Sequence, residues 1–129
     1  MAQPKATTST SRVLAAANEP EIRKLLVGKL KSAGYTVSEA ASGRKTLDVL
    51  HTKRFQVLVL DLDMPGADGF DVLKAVRSEM PHLRVLVISV RSELLAAAEW
   101  FGAVAAIDKV STPDLLVKTV RRLLGESLK

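Results

Sequence analysis

Short apolar runs alternate along the chain with longer segments in which apolar residues recur every three or four positions. The runs at 57–60 and 85–88 contain no polar residue, which is typical of strands covered on both faces in a parallel sheet. Further strands are predicted at 13–17, 35–40 and 103–107. The mixed polarity of 35–40 places that strand at an edge of the sheet.

Between the strands, the spacing of apolar residues predicts five helices, and Gly or Pro follows four of them as a stop signal. The most regular stripe is formed by Ile22, Leu25, Leu26, Leu30 and Ala33. Five β-α units in succession require right-handed crossovers between parallel neighbours. The pattern therefore predicts an α/β fold, a doubly wound (βα)5 sandwich, with any functional site beyond the carboxyl ends of the strands.

The chain has 129 residues, which is the size of one domain. We expect a disordered polar tail at 1–11, a folded domain at 12–125 and a short C-terminal tail at 126–129. Because there is no cysteine, disulfides and thiolate nucleophiles are excluded.

The absence of long apolar runs and of a signal peptide predicts a cytoplasmic protein without membrane contact. A net charge of +5 is too small to predict direct nucleic acid binding.

Polar side chains follow three of the predicted strands. Asp61 follows 57–60, Ser89 follows 85–88, and Lys109 follows the last strand. A carboxylate, a hydroxyl and an ammonium group at adjacent strand ends are the set needed to receive a phosphoryl group. A carboxylate that only caps a turn is the alternative interpretation, and the spacing alone leaves both open.

Several motifs resemble one family, the receiver domains of two-component response regulators. They are Asn18-Glu-Pro-Glu-Ile-Arg23, Leu58-Val-Leu-Asp61-Leu-Asp-Met-Pro-Gly66, Asp68-Gly69, Val85-Leu-Val-Ile-Ser89, Gly102-Ala103 and Lys109. The resemblance covers about residues 12–125 and implies a flavodoxin-like parallel sheet of order 2-1-3-4-5. It also implies that Asp61 is the phosphoacceptor, Ser89 the switch hydroxyl and Lys109 the lysine that pairs with the acyl phosphate.

The resemblance also implies a Mg²⁺ site, and the sequence departs from the family there. Two acidic residues usually end the first strand, but Ala17 and Asn18 stand at these positions. Mg²⁺ prefers carboxylates in octahedral geometry, so we expect its binding to be weak or absent. Asp61 and Asn18 remain as ligands, and Asp63 or Glu19 could compensate in part; Asp63 lies where the family uses a backbone carbonyl.

The residues around the switch hydroxyl and the lysine also depart from the family pattern. Ala106 stands in place of the usual aromatic residue on the fifth strand, and Val110 in place of the proline after the lysine. Val90 replaces the small residue that usually follows the switch hydroxyl. These changes predict an altered activation route through the fourth and fifth helices.

Three functional hypotheses follow. The first is a receiver phosphorylated at Asp61 by a sensor histidine kinase or a phosphotransfer protein, which then contacts a downstream protein through its fourth and fifth helices. Such a chain is not an enzyme beyond self-catalysed phosphoryl transfer. The second is a phosphorylation-independent pseudo-receiver that acts as a protein-interaction module. The third, remote hypothesis is a haloacid-dehalogenase-like phosphatase that uses Asp61 and Asp63.

Overall fold

The computed structural model of the protein describes residues 11–65 and 68–126. The two predicted tails lie outside these ranges, apart from Ser11 and Glu126. Among the helices described, none is long and apolar enough to cross a membrane.

Five parallel strands form one sheet, and a helix follows each strand. The strands are β1 (Arg12–Ala16), β2 (Thr36–Ala40), β3 (Val57–Asp61), β4 (Arg84–Ser89) and β5 (Ala105–Asp108). The helices are α1 (Pro20–Ser32), α2 (Gly43–Thr52), α3 (Asp68–Glu79), α4 (Ser92–Trp100) and α5 (Thr112–Leu123). The strand order is β2-β1-β3-β4-β5, which confirms the predicted flavodoxin-like architecture and the edge position of β2.

The core consists of two layers, one on each face of the sheet. Because side chains alternate along a strand, each interior strand contributes to both layers. Helices α1 and α5 cover one face, where the core includes Val13, Leu26, Leu30, Val57, Val59, Leu86, Ile88, Leu116 and Val120. Helices α2, α3 and α4 cover the other, with Leu14, Leu50, Leu58, Leu60, Val72, Leu73, Val85, Val87 and Ala98. The uninterrupted apolar runs thus exist because β3 and β4 have no solvent face.

Local sequence signals mark the start or end of α1 and α2. Pro20 is the first residue of α1, where its fixed φ suits a helix and its missing N–H leaves no bond unmade. The Ser42 side chain accepts a hydrogen bond from the Lys45 amide at 3.1 Å and caps α2. Gly34 follows α1 with a φ of 99°, a left-handed conformation that favours glycine.

Strand β5 begins two residues later than the sequence predicts. Gly102 adopts a φ of 103°, and the amide of Ala103 donates a hydrogen bond back to the carbonyl of Ala98 at 3.1 Å. Ala103 therefore belongs to the C-terminal cap of α4. Its burial, which makes it resemble a strand residue in the sequence, comes from packing beneath that cap.

Helix α3 begins tightly against the segment that follows β3. A Cβ atom at Gly69 would lie 2.9 Å from Leu62 Cδ2 and 3.2 Å from Leu62 Cα. Only glycine permits this approach, so Gly69 holds the start of α3 against the loop that leaves Asp61.

The single tyrosine joins β2 to the end of the described chain. Tyr35 is buried, and its hydroxyl donates to Glu126 Oε1 at 2.8 Å. Burial, with the hydrogen bond and charge of Glu126, raises the pKa of Tyr35 from 10.0 to about 12.

This contact predicts a tyrosine titration of unusual position. Since a raised pKa favours the neutral phenol in the fold, its stabilising effect is complete below pH 10 and is lost between pH 10 and about 12. Ultraviolet difference absorbance should show phenolate forming near pH 12 while circular dichroism reports folded protein. Glu126→Gln, which keeps an acceptor but removes the charge, should lower the midpoint. A wild-type midpoint near 10 would contradict this assignment.

Candidate functional site

The sheet register brings three strand ends to one edge. Asp61 is the last residue of β3 and lies opposite Ile88; Ser89 is the last residue of β4 and lies opposite Asp108. The ladder continues one step further, because the amides of Leu62 and Lys109 donate to carbonyls of β4 at 2.9 Å each. The backbone on which Asp61, Ser89 and Lys109 stand is therefore fixed by hydrogen bonds.

A buried ion pair joins β3 to the residue after β5. Lys109 Nζ lies 3.0 Å from Asp61 Oδ2, and Asp61 is only 2% exposed. The other carboxylate oxygen, Oδ1, accepts a hydrogen bond from the Asp63 amide at 2.8 Å. Both oxygens of this buried carboxylate are thus partnered, as a buried charge requires.

Burial and pairing act in opposite directions on these two groups. Desolvation raises the pKa of Asp61, against the lowering effects of the Asp63 amide and of Lys109. Desolvation alone would lower the pKa of Lys109, but hydrogen bonds to Asp63 and Asp61 outweigh it and raise that pKa. Lys109 is therefore a stable cation at neutral pH.

The carboxylate of Asp63 reaches across to β4. Its Oδ1 accepts from Ser89 Oγ at 2.7 Å, and its Oδ2 accepts from the Val90 amide at 2.8 Å. Lys109 Nζ lies 2.9 Å from the same Oδ2. Burial would raise the pKa of Asp63, but its partners Ser89, Lys109 and Val90 together lower it.

Ser89 is connected to Asp61 through Asp63 and Lys109. The Ser89 hydroxyl donates to Asp63 and accepts from the amide of Arg91 at 2.9 Å. It is fully buried, so its hydroxyl proton is committed to the Asp63 carboxylate. The three residues predicted from the strand ends thus share one network, and Asp63 lies at its centre.

The residues predicted as metal ligands are distributed around this network. Asn18 donates its side-chain amide to the carbonyl of Ala41 at 3.2 Å, and the exposed Glu19 lies 3.8 Å from Lys109 Nζ. Within residues 11–65 and 68–126, no group of three or more acidic or histidine side chains is arranged to hold a metal ion. The Asp61 carboxylate and the Asn18 amide oxygen are ligands of the kind that Mg²⁺ takes, but they bring only one negative charge.

Sequence reasoning missed Arg23, which lies beside the end of β1. Its Nη1 donates to the carbonyls of Ala17 and Asn18 at 2.8 and 3.1 Å, and its Nε to Glu39 Oε1 at 3.0 Å. A guanidinium group therefore stands next to the positions from which the acidic pair is missing. A basic residue in the first turn of the helix after β1 was the available signal.

The chain matches the response regulator receiver domain family over residues 13–121. It is 34% identical over 110 residues to the transcriptional regulator NtrC of Klebsiella pneumoniae, covering 84% of this chain and 24% of NtrC. It is 32% identical over 108 residues to the chemotaxis protein CheY of Pseudomonas aeruginosa, covering 79% of this chain and 86% of CheY. The match thus spans about a quarter of NtrC but most of CheY.

Solved structures of response regulators share the fold of this chain. The response regulator TrrA of Thermotoga maritima, in complex with Mg²⁺-BeF, superposes with a TM-score of 0.81 at 26% identity over 88% of this chain and 99% of TrrA. CheY4 of Vibrio cholerae gives a TM-score of 0.80 at 32% identity over 88% of this chain and 98% of CheY4.

The fold and these matches identify the chain as a receiver of two-component signalling. It belongs to the response regulator receiver domain family. Domains of this family are generally signal transducers and not enzymes, and they typically bind Mg²⁺. They interact with histidine kinases and downstream effectors. Membership supports the receiver hypotheses over the phosphatase hypothesis.

The opposite pKa shifts predict opposite effects of two matched substitutions. Because the fold disfavours the ionised form of Asp61, Asp61→Asn should raise the free energy of unfolding at pH 7. Because the fold favours ionised Asp63, Asp63→Asn should lower the free energy of unfolding at pH 7, by about 1–3 kcal/mol for lost charge-assisted hydrogen bonds. Denaturant titration of both variants checks the signs, and a loss of stability in both would contradict the assignment.

Proposed function

We propose that the chain is a phosphorylation-responsive receiver in which Asp61 accepts the phosphoryl group, Ser89 is the switch hydroxyl and Lys109 pairs with the phosphate. The observation that carries this proposal is the buried ion pair of Asp61 and Lys109 at 3.0 Å. It supplies a positioned oxyanion nucleophile together with a fixed cation for the charge that develops on the phosphoryl oxygens.

The protein groups that take part in the transfer are side chains of this edge. An Asp61 carboxylate oxygen attacks the phosphorus of a phosphohistidine or a small phosphodonor, and the bond from phosphorus to the leaving group breaks. The leaving group keeps the electron pair, the imidazole of a phosphohistidine taking up a proton from solvent and an acetate leaving as the anion, and an acyl phosphate remains on Asp61. Lys109 then pairs with a phosphoryl oxygen, and the Ser89 hydroxyl donates to another. The chain catalyses its own modification and turns over no other substrate.

We further propose that Mg²⁺ binds weakly here, held by Asp61 and Asn18 with help from Glu19. When bound, the ion neutralises charge on the transferring group. Ala17 contributes no ligand, Asn18 contributes no charge, and the guanidinium of Arg23 lies on both of their carbonyls. The Asp63 carboxylate is already engaged by three donors, which makes it a poor compensating ligand.

The upstream partner is a sensor histidine kinase or a phosphotransfer protein. For the downstream protein we propose the surface formed by α4, β5 and α5. Five large apolar side chains on or beside these elements are exposed, namely Val90, Trp100, Val104, Val110 and Leu115, of which Trp100 is 83% and Val110 88% exposed. Exposed apolar side chains of this kind are suited to contact with another protein.

A second candidate function, a pseudo-receiver that acts without phosphorylation, is favoured by one observation. The donors that would receive a phosphoryl group already form hydrogen bonds to Asp63. A site satisfied in this way presents a fixed surface to partners without any modification.

Phosphorylation at Asp61 can be tested directly. Incubation with acetyl phosphate and Mg²⁺ should add one phosphoryl group to the intact mass, and Asp61→Asn should abolish the addition because the nucleophile is lost. Lys109→Ala should slow the reaction by at least tenfold, since a fixed cation is removed from the transferring charge. A wild-type mass that stays unchanged at every Mg²⁺ concentration would contradict the proposal and favour the pseudo-receiver.

Restoring one carboxylate should strengthen the metal site. A carboxylate about 4 Å from a cation is worth about 1–4 kcal/mol per unit charge in dielectrics of 80 to 20, so Asn18→Asp should tighten Mg²⁺ binding by roughly tenfold or more. Magnesium titration followed by the amide signals of Glu19 and Asp63 measures this. Glu93→Asp, in the first turn of α4, keeps the charge count and serves as the control. An Mg²⁺ affinity that does not change in Asn18→Asp would contradict the proposal that residue 18 is a ligand of the metal.

A further inference from the structure

We propose that the Asp63 carboxylate is an intramolecular competitor for the phosphoryl group, occupying the phosphoryl-binding donors until a phosphoryl group on Asp61 displaces it. This inference rests on the proposed function of Asp61, Ser89 and Lys109. It gives Asp63 a role distinct from that of a metal ligand.

Three donors of different kinds surround the Asp63 carboxylate. Asp63 accepts from a hydroxyl (Ser89), a backbone amide (Val90) and an ammonium group (Lys109), at 2.7, 2.8 and 2.9 Å. These lengths are typical of strong hydrogen bonds to an ionised oxygen. A hydroxyl, an amide and a cation converging on one point form a receptor for an oxyanion, and a carboxylate fills it here.

Two of these three donors have no proton left to give to a phosphoryl group. The Ser89 hydroxyl and the Val90 amide each have one proton to donate, and both protons are given to Asp63. Lys109 has three, of which Asp61 and Asp63 each take one. A phosphoryl group on Asp61 can therefore reach Lys109 at once, but it gains Ser89 and Val90 only if Asp63 leaves them.

Charge repulsion would drive the Asp63 carboxylate away from a phosphoryl group, and the carboxylate has solvent beside it. A phosphoryl group on Asp61 carries about 1.5 to 2 negative charges at neutral pH, in place of the single charge of the free carboxylate, and the Asp63 backbone amide lies only 2.8 Å from the Asp61 carboxylate. Two anions cannot share the same donors without repulsion. The Asp63 side chain retains 15% of its exposure, so it lies at the mouth of the site and has solvent to turn into.

Together these contacts define two states of one receptor. In the first, Asp63 holds Ser89 and Val90, and the start of α4 is ordered without phosphorylation. In the second, the phosphoryl group takes both donors and Asp63 faces solvent. Asp63 therefore raises the threshold for phosphorylation and stabilises the unmodified switch segment.

The test is the affinity for beryllofluoride in the presence of Mg²⁺, followed by amide spectra of the full chain. Asp63→Ala should bind this probe at least tenfold more tightly than wild type, because the competing carboxylate is gone. Asp63→Asn, which keeps the volume of the side chain, should tighten binding in the same direction and serves if the alanine variant does not fold. Glu93→Gln removes one charge near the start of α4 without touching Ser89 or Val90, and its affinity should equal that of wild type.

The outcomes separate this inference from the proposed function. Equal affinities in wild type and both Asp63 variants would overturn the competitor role while leaving Asp61 as phosphoacceptor. Weaker binding in the variants would also overturn it and identify Asp63 as a metal ligand. Binding by none of the proteins would overturn the proposed function and this inference with it.

A second readout needs no phosphoryl analogue. Hydrogen exchange of the Val90 amide should be slow in the unliganded wild type and at least tenfold faster in Asp63→Ala, because its acceptor is removed. An exchange rate that does not change would overturn the inference even if the affinities differ.

Discussion

One buried cation organises the carboxyl edge of the sheet. Lys109 lies between Asp61 and Asp63, at 3.0 and 2.9 Å, and it lets two carboxylates approach each other where water is largely excluded. Without it, their mutual repulsion and the cost of desolvation would prevent this arrangement. The positions of the remaining groups follow from this pairing, since Asp63 is brought to the point from which it reaches Ser89 and Val90.

The sheet makes this concentration of charge possible by fixing the backbone around it. Strands β3 and β4 are buried on both sides, and the ladder extends past their ends to Leu62 and Lys109. Gly69 then holds α3 against the loop that leaves Asp61. The apolar core and the polar site therefore depend on each other. The core fixes the position of the backbone, and the ion pairs fix the orientation of the side chains.

Much of this could be predicted from the sequence, and the reasons are specific. The runs at 57–60 and 85–88 predicted buried parallel strands because only such strands lack polar residues on both faces. The common location of Asp61, Ser89 and Lys109 at one edge of the sheet could be predicted because each stands at or just after the end of a strand. The orientation of Asp63 was not, since spacing does not show toward which neighbour a loop side chain turns. The role of Arg23 and the start of β5 were not predicted either, because both depend on hydrogen bonds to backbone carbonyls five or six residues earlier in the chain, which the order of residue types does not show.

The extended ladder has a consequence for kinetics. The amides of Leu62 and Lys109 tie the loops after β3 and β5 to β4, so the backbone around Asp61 and Lys109 is held in place. In the exchange proposed for Asp63, the groups that move in these two loops are side chains, which turn about their torsion angles. Such rotations are fast compared with the rearrangement of whole segments. For the acyl phosphate proposed at Asp61, the lifetime of the signal would then be set by hydrolysis of that bond, not by the speed at which the protein changes shape.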